Sequence, residues 1–352
     1  MKNKIFLVTG GTGGHLFPAI SLAQELKKQN INFELIVDER CRKYVKNYNL
    51  KFNIFISSPL FFNLIKLPKF LIKNTIGVLQ SLILFLKEYK QIKIIIGFGG
   101  YTCFPALFAG YLLRIPVIVH EQNAVMGKAN RILSKFSLLS LISFKKTEKA
   151  PQNSKFIGMP VRREFFIKKK IKRNDFENRL KILILGGSQG ASIFSEIIPQ
   201  TLSSLTKSEI SKIKIIQQAR KSEIKKLSEI YKKKKLSYKV EDFIEDVAKE
   251  MQKSDIIITR CGASTLAEVN ASSKFSILFP LPSSKDNHQL RNAKEFSKSN
   301  KCLIFNEKKL TASELAGIFK KIIKTPNKYK MKFKKNPNSN VTKEIVKIIN
   351  NL

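Results

Sequence analysis

The sequence predicts an α/β protein built from two doubly wound, Rossmann-like domains. Three observations predict it: short β-branched runs alternate with helix-length segments, the alternation starts afresh near residue 180, and glycine-rich loops follow three of the runs directly. In the first half the strand-like runs are 5–9, 33–37, 52–56, 92–96 and 116–120, with helical stretches at 18–28 and 105–113 among those between them. In the second half they are 180–185, 213–217, 255–259, 275–279 and 302–305. Such runs, spaced by helices, call for parallel sheets with right-handed crossovers. Gly158 and Pro160 interrupt the pattern and the polar stretch 168–178 follows, so the domains are expected to span 1–160 and 161–352. Residues 326–340 read as a connector to a final helix at 343–349, in a terminal segment (341–352) able to pack back on the first domain.

Composition narrows the function. With 352 residues and 43% hydrophobic content the chain can fill two cores, and disorder is excluded. A formal charge of +39 gives it a strong positive field that favours polyanions or an anionic membrane surface. No zinc-finger spacing, RNA-recognition signature or basic zipper accompanies that charge, and nucleic acid is not expected as a partner. The four scattered cysteines, Cys41, Cys103, Cys261 and Cys302, fit reduced thiols in a cytoplasmic protein better than a disulfide framework or metal site. Met1-Lys2-Asn3-Lys4 runs straight into a short strand, which argues against a signal peptide.

Residues 60–86 stand apart. They are rich in Phe, Leu and Ile, and Lys66, Lys69 and Lys73 punctuate them. The longest charge-free stretch within them, 74–86, is shorter than the roughly 20 residues needed to cross a bilayer. Between positions 40 and 120, twelve Lys or Arg face a single acidic residue, Glu88. Two readings follow: a segment lying in a headgroup interface, with Leu82, Phe85 and Lys69 among its contacts, or a buried core helix with a basic edge. Periodicity does not say which face is covered.

The loops carry the chemistry. Gly10-Gly11-Thr12-Gly13-Gly14-His15 lets bare backbone approach a ligand and points helix amides at an anion. Its spacing is neither a dinucleotide fingerprint nor a P-loop, so hydride transfer and ATP hydrolysis lose ground. Gly97-Phe98-Gly99-Gly100-Tyr101 and Gly186-Gly187-Ser188-Gln189-Gly190 are further strand-to-helix turns of this kind. His120-Glu121-Gln122-Asn123, at a strand end, can orient sugar hydroxyls or hold its own loop, and two or three of the four are expected to be structural. After the strand ending at 259, Arg260-Cys261-Gly262 leads into Ala263-Ser264-Thr265-Leu266-Ala267-Glu268, where Glu268 can accept hydrogen bonds from a ribose diol or stand as an ordinary helix carboxylate. Three glycine loops at strand ends point to a sugar- or nucleotide-handling enzyme.

Taken together and in order, these motifs, with Pro160-Val161-Arg162 and residues 286–293, resemble the MurG family of undecaprenyldiphospho-muramoylpentapeptide β-N-acetylglucosaminyltransferases, whose GT-B fold implies two Rossmann-like domains facing each other across a cleft. The likeness runs from residue 5 to about residue 300. It implies transfer of N-acetylglucosamine from UDP-N-acetylglucosamine (UDP-GlcNAc) to lipid I, giving lipid II, by a peripheral protein on the cytoplasmic face of the inner membrane. It also implies a donor pocket of Thr12, Gly13, Gly14, Asn123, Arg162, Ser188, Ile244, Ala263, Ser264, Thr265, Leu266, Ala267, Glu268 and Gln289. Within it Glu268 binds the ribose hydroxyls, Ile244 presents backbone to the uracil and Gln289 recognises the sugar. The acceptor's diphosphate would meet Gly14, Gly99, Gly100 and Tyr101. His15 is the candidate general base for a single inverting displacement, and Arg162, Ser188 and the amides of 187–190 would stabilise the leaving diphosphate. No Asp-x-Asp motif is present, so neither a metal nor any other cofactor is expected.

The chain departs from the family pattern at Met159 (for Asn), Cys261 (for Ser), His288 (for Gln) and Thr102-Cys103-Phe104-Pro105 (for Val-Ser-Gly-Pro). These changes leave the glycines and Arg162 intact and bear on sugar contacts near His288. Three rivals remain: a UDP-GlcNAc 2-epimerase, a glycosyltransferase acting on diacylglycerol, and a basic nucleic-acid- or membrane-binding protein. Donor isomerisation without acceptor would mark the first, and salt-dependent DNA binding without UDP binding the third.

Overall fold

A strand whose residues are apolar on both faces must be covered on both, and Lys4-Ile5-Phe6-Leu7-Val8 is buried throughout. This is the central β1 (Lys4–Val8) of a seven-stranded sheet in a computed structural model that describes residues 3–59, 67–166, 179–187, 191–331 and 337–352. Contacts divide the chain into two units, Met1–Arg162 with Pro337–Leu352, and Arg163–Asn336.

The first unit runs β1, α1 (Gly13–Lys28), β2 (Phe33–Val37), α2 (Arg42–Lys46), β3 (Phe52–Ile54), α3 (Leu67–Glu88), β4 (Ile92–Gly97), α4 (Cys103–Leu112), β5 (Val117–Glu121), α5 (Lys128–Leu133), β6 (Leu139–Ile142) and β7 (Lys155–Phe156). The strand order is β3-β2-β1-β4-β5-β6-β7, with parallel pairing throughout. The order reverses between β1 and β4, so the loops leaving those two strands flank the crevice where ligands of such sheets bind. Helix α1 starts five residues earlier than the sequence suggests. Thr12, extended at φ −130°, closes the loop, and Pro18 is accommodated inside the helix. Its lack of an N–H costs only the bond to the Gly14 carbonyl. Strands β6 and β7 escape sequence reading because one is four residues long and the other an exposed pair.

The second unit runs β8 (Leu180–Leu185), α6 (Ser192–Ser203), α7 (Lys207–Ser211), β9 (Ile213–Gln218), α8 (Lys221–Lys233), β10 (Ser237–Glu241), α9 (Val247–Lys253), β11 (Ile256–Arg260), α10 (Ala263–Ser272), β12 (Phe275–Phe279), α11 (His288–Ser297), β13 (Cys302–Ile304) and α12 (Ala312–Lys324). Its parallel sheet has the order β10-β9-β8-β11-β12-β13, with the reversal between β8 and β11. The edge strand β10, Ser-Tyr-Lys-Val-Glu, is too polar to announce itself. The last helix, α13 (Val341–Asn350), belongs to the first unit, where Val341, Ile345, Val346 and Ile349 join the core that holds Leu16, Ala19 and Ala23 of α1.

Helix α3 is inverted relative to an ordinary surface helix. Its buried positions, Asn74, Gly77, Ser81 and Phe85, recur at helical spacing and are mostly small or polar. Gly77 is obligatory, because a Cβ there would come within 2.2 Å of the Ile56 carbonyl oxygen. Asn74 Nδ2 donates to the carbonyls of Ser58 and Phe70, and Ser81 Oγ to that of Gly77. The large apolar residues Leu71, Ile72, Ile76, Leu79, Ile83 and Leu86 are exposed. This overturns the buried-helix reading for 67–88; residues 60–66 lie outside the described residues. It also corrects one expected contact, since Phe85 is fully buried with its ring 5.2 Å from that of Phe6. Gly77→Ala should therefore destabilise the protein by about 2 kcal/mol in urea unfolding, whereas Leu79→Ala on the exposed face should cost under about 0.5 kcal/mol.

Candidate active site

In the first unit the two glycine loops are packed against each other and tied down by Asp38, just past the carboxyl end of β2. Asp38 Oδ2 accepts from the Gly11 amide at 2.8 Å, from the Thr102 hydroxyl at 3.2 Å and from Arg40 at 2.6 Å. Only glycine fits at position 10, where a Cβ would stand 2.1 Å from Thr102 Oγ1 and 2.8 Å from Asp38 Oδ2. The Arg40 guanidinium lies 4.8 Å from the centre of the Tyr101 ring. Burial raises the Tyr101 hydroxyl above its ordinary pKa, against the opposing pull of Arg40.

His15 stands in the first turn of α1 with its imidazole against the second loop. Gly99, at φ +88°, has no room for a side chain, because a Cβ would lie 3.0 Å from His15 Nδ1. That nitrogen is 2.8 Å from Gln122 Oε1. Gln122 Nε2 is 3.0 Å from His120 Nδ1 and 3.0 Å from the His120 carbonyl oxygen. His120 Nε2 in turn is 3.2 Å from the Gly158 carbonyl oxygen. Beside this run the buried Glu121 carboxylate accepts from Asn123 N and Nδ2, Gly127 N and Asn130 Nδ2, and so shapes the loop that presents Asn123. Loop-holding thus falls to His120, Glu121 and Gln122, all buried, while Asn123 is partly exposed.

In the second unit the loops after β11 and β12 are joined by side chains of α11. Gln289 Oε1 accepts from the amides of Cys261 and Leu281 at 3.0 and 3.1 Å, and Asn292 Nδ2 donates to the Cys261 carbonyl at 3.1 Å. At the start of α10 the amides of Ala263, Ser264 and Thr265 precede the first intrahelical bond, Leu266 N to the Gly262 carbonyl. That end can receive an anion. Ala263, Leu266, Ala267 and Ile244 have buried side chains, so only their backbone can serve a ligand; Ser264 and Thr265 are partly exposed, and Glu268 is 8% exposed. Arg260 pairs with Glu307. His288 is engaged with the Lys285 carbonyl at 2.8 Å.

The structure therefore gathers Thr12, Gly13, Gly14, His15, Gly99, Gly100, Tyr101 and Asn123 at the carboxyl ends of the adjacent strands β1, β4 and β5. It gathers Ala263–Glu268 and Gln289 beyond the adjacent strands β11 and β12. Ser188 and residues 189–190 lie outside the described residues. Arg162 falls in the first unit, its guanidinium 4.1 Å from the Phe17 ring centre and its Nη1 donating to the Tyr48 hydroxyl at 3.0 Å. Asp38, Arg40 and Asn130 were not singled out from sequence. An acidic residue just past a strand end was the available signal for Asp38.

Complete burial pushes the His120 imidazole down to about 4. Its unfolded counterpart titrates near 6.5, so between these values the unfolded chain binds the extra proton and stability falls as pH falls. The loss should reach about 3 kcal/mol at pH 4 and be absent above pH 7. Urea unfolding of wild type and His120→Gln across that range checks it: the variant should lack this slope.

The description "Glycosyltransferase family 28 N-terminal domain" matches residues 5–138, and "Glycosyltransferase family 28 C-terminal domain" matches residues 181–351. The chain is 35% identical to a Rickettsia bellii protein named UDP-N-acetylglucosamine--N-acetylmuramyl-(pentapeptide) pyrophosphoryl-undecaprenol N-acetylglucosamine transferase, over 92% of this chain and 91% of that one. The solved structure of Acinetobacter baumannii MurG aligns over 99% of this chain and 100% of that one, with a TM-score of 0.76 and 26% identity. A Listeria monocytogenes protein described as a putative UDP-N-acetylglucosamine 2-epimerase aligns over 99% and 96% with a TM-score of 0.71, but at 12% identity it shares the fold alone. Two parallel-sheet units, each matched by its own half of the family and in the family's order, have the GT-B fold, and the chain belongs to glycosyltransferase family 28 and, within it, to the MurG transferases.

Proposed function

We propose that this protein transfers N-acetylglucosamine from UDP-GlcNAc to the 4-hydroxyl of the muramoyl sugar of lipid I, forming lipid II for peptidoglycan synthesis. The observation that carries this is the likeness to a named N-acetylglucosamine transferase along 92% of the chain, which takes in both sets of strand-end loops. The transfer is one inverting displacement. The acceptor hydroxyl attacks the anomeric carbon opposite UDP, and an α-linked donor gives a β-linked product.

His15 is the base we assign, with a ring nitrogen, Nε2, not occupied by the Gln122 contact. The first-unit loops around Gly14, Gly99, Gly100 and Tyr101 are assigned to the acceptor's diphosphate. Arg40, stacked on Tyr101, adds a cation there. In the second unit the start of α10 and Gln289 are assigned to the donor, with Glu268 on the ribose. Gln289 does this work with its amide oxygen already engaged by two backbone amides, so its nitrogen is the group left for a sugar oxygen. Thr12, Gly13, Asn123, Arg162 and Ser188 complete the proposed donor contacts, and Ile244 offers backbone to the base.

The exposed face of α3 is assigned to the cytoplasmic surface of an anionic membrane, where a prenylated acceptor resides. Six large apolar side chains on one outer face, in a chain of net charge +39, support this. The same supply of lipid II would tie the protein to cell shape and division.

Incubation with labelled UDP-GlcNAc and a short-chain lipid I analogue, read by mass, should give one added N-acetylhexosamine on the acceptor. Free N-acetylmannosamine or its nucleotide, formed without acceptor, would indicate epimerisation instead. His15→Ala should lower turnover by about 10²-fold or more. Leu79→Glu with Ile83→Glu should weaken partition onto anionic vesicles by at least about tenfold, with turnover of the soluble acceptor retained.

A further inference from the structure

Direction along the contact chain from His15 through Gln122 and His120 to Gly158 is set by groups that can act in only one way. A peptide carbonyl only accepts, so His120 Nε2, facing the Gly158 oxygen at 3.2 Å, carries the ring proton. His120 Nδ1 then holds a lone pair, and its neighbour at 3.0 Å is the amide nitrogen of Gln122. The same nitrogen faces the His120 carbonyl oxygen at 3.0 Å, a second pure acceptor. Exchanging the amide's oxygen and nitrogen would set oxygen against oxygen there and lone pair against lone pair at His120. Gln122 Oε1 is thereby turned toward His15 and accepts from Nδ1–H at 2.8 Å. A neutral imidazole carries one proton, so the lone pair of His15 is on Nε2.

We propose that His120 and Gln122 are positioning residues that lock His15 in the Nδ1–H tautomer, making Nε2 its proton-accepting atom. Free histidine favours the opposite tautomer, which would offer the acceptor hydroxyl a donor where a base is needed. Both rings are also held in place by the second glycine loop: Phe98 lies 5.5 Å from the His120 ring, and Gly99 leaves only enough room for the His15 ring. Burial keeps His120 neutral through the physiological range, so the relay keeps its direction there. The nearby Glu121 carboxylate is taken up by amides of residues 123, 127 and 130. The lock stands on geometry, and its catalytic consequence rests on His15 being the base.

The chain has three histidines, so imidazole ¹⁵N signals can be assigned by comparison with the His15→Ala spectrum. In the full-length protein at neutral pH, two-bond ¹H–¹⁵N correlation should show His15 Nδ1 as pyrrole-type and Nε2 as pyridine-type. Gln122→Met, of similar volume, should move His15 toward the Nε2–H form and lower kcat by about tenfold or more, with KM for UDP-GlcNAc unchanged. A wild-type spectrum with the proton on Nε2 overturns the lock without any variant having to fold. So does a Gln122→Met spectrum in which the His15 tautomer stays where it was. A tautomer that moves while kcat does not would leave the lock standing and overturn the base assignment.

Discussion

Two stretches of bare backbone share one small volume at the carboxyl ends of β1 and β4 because a single carboxylate, that of Asp38, draws them together. Its Oδ2 takes an amide from one loop, a hydroxyl from the other and a guanidinium that reaches across to Tyr101. Charge-assisted bonds of this kind contribute about 1.5–3 kcal/mol each, where a neutral acceptor would contribute about half as much. Once the loops are fixed, the remaining geometry follows. Gly99 can then approach the His15 ring, and His15 in turn meets Gln122.

The placement of the loops in each unit follows from topology. Each sheet reverses its strand order once, between β1 and β4 in the first and between β8 and β11 in the second. A reversal opens a crevice because successive crossover helices leave in opposite directions. The loops at those points are therefore rich in glycine or other small residues, and the first unit adds the polar run from His120 to Asn123. The second unit secures its loops differently, by reaching from α11 with Gln289 and Asn292 to backbone groups of other loops. The Listeria protein described as a putative 2-epimerase shares this plan at 12% identity, so the plan itself does not select a reaction.

Much of this was legible in the chain. Short apolar, β-branched runs spaced by helix-length segments gave ten of the strands to within a residue or two, because strands buried on both faces read as largely hydrophobic segments. Strands β6, β7 and β10 were not legible, being short or polar and at or near sheet edges. The glycine loops announced the site, but the groups that organise it did not. Asp38 works across 64 residues on Thr102, and His15 meets Gln122 across 107, and no local pattern encodes such pairs. The outward face of α3 was illegible for a related reason: composition tells that a helix is apolar, while only its neighbours decide which side they take. Arg162 likewise read as an anion ligand, and its stacking on Phe17 and bond to Tyr48 could be seen only in three dimensions.

The return of α13 to α1 bears on how the molecule comes into being. A ribosome releases residues 1–162 long before Val341, Ile345, Val346 and Ile349 exist to cover their strip of the first core. Until then that strip stays wet, and the earlier-made half waits on the later one for its last wall. A nascent chain cut short by a dozen or so residues would thus be wounded in the half that was made first.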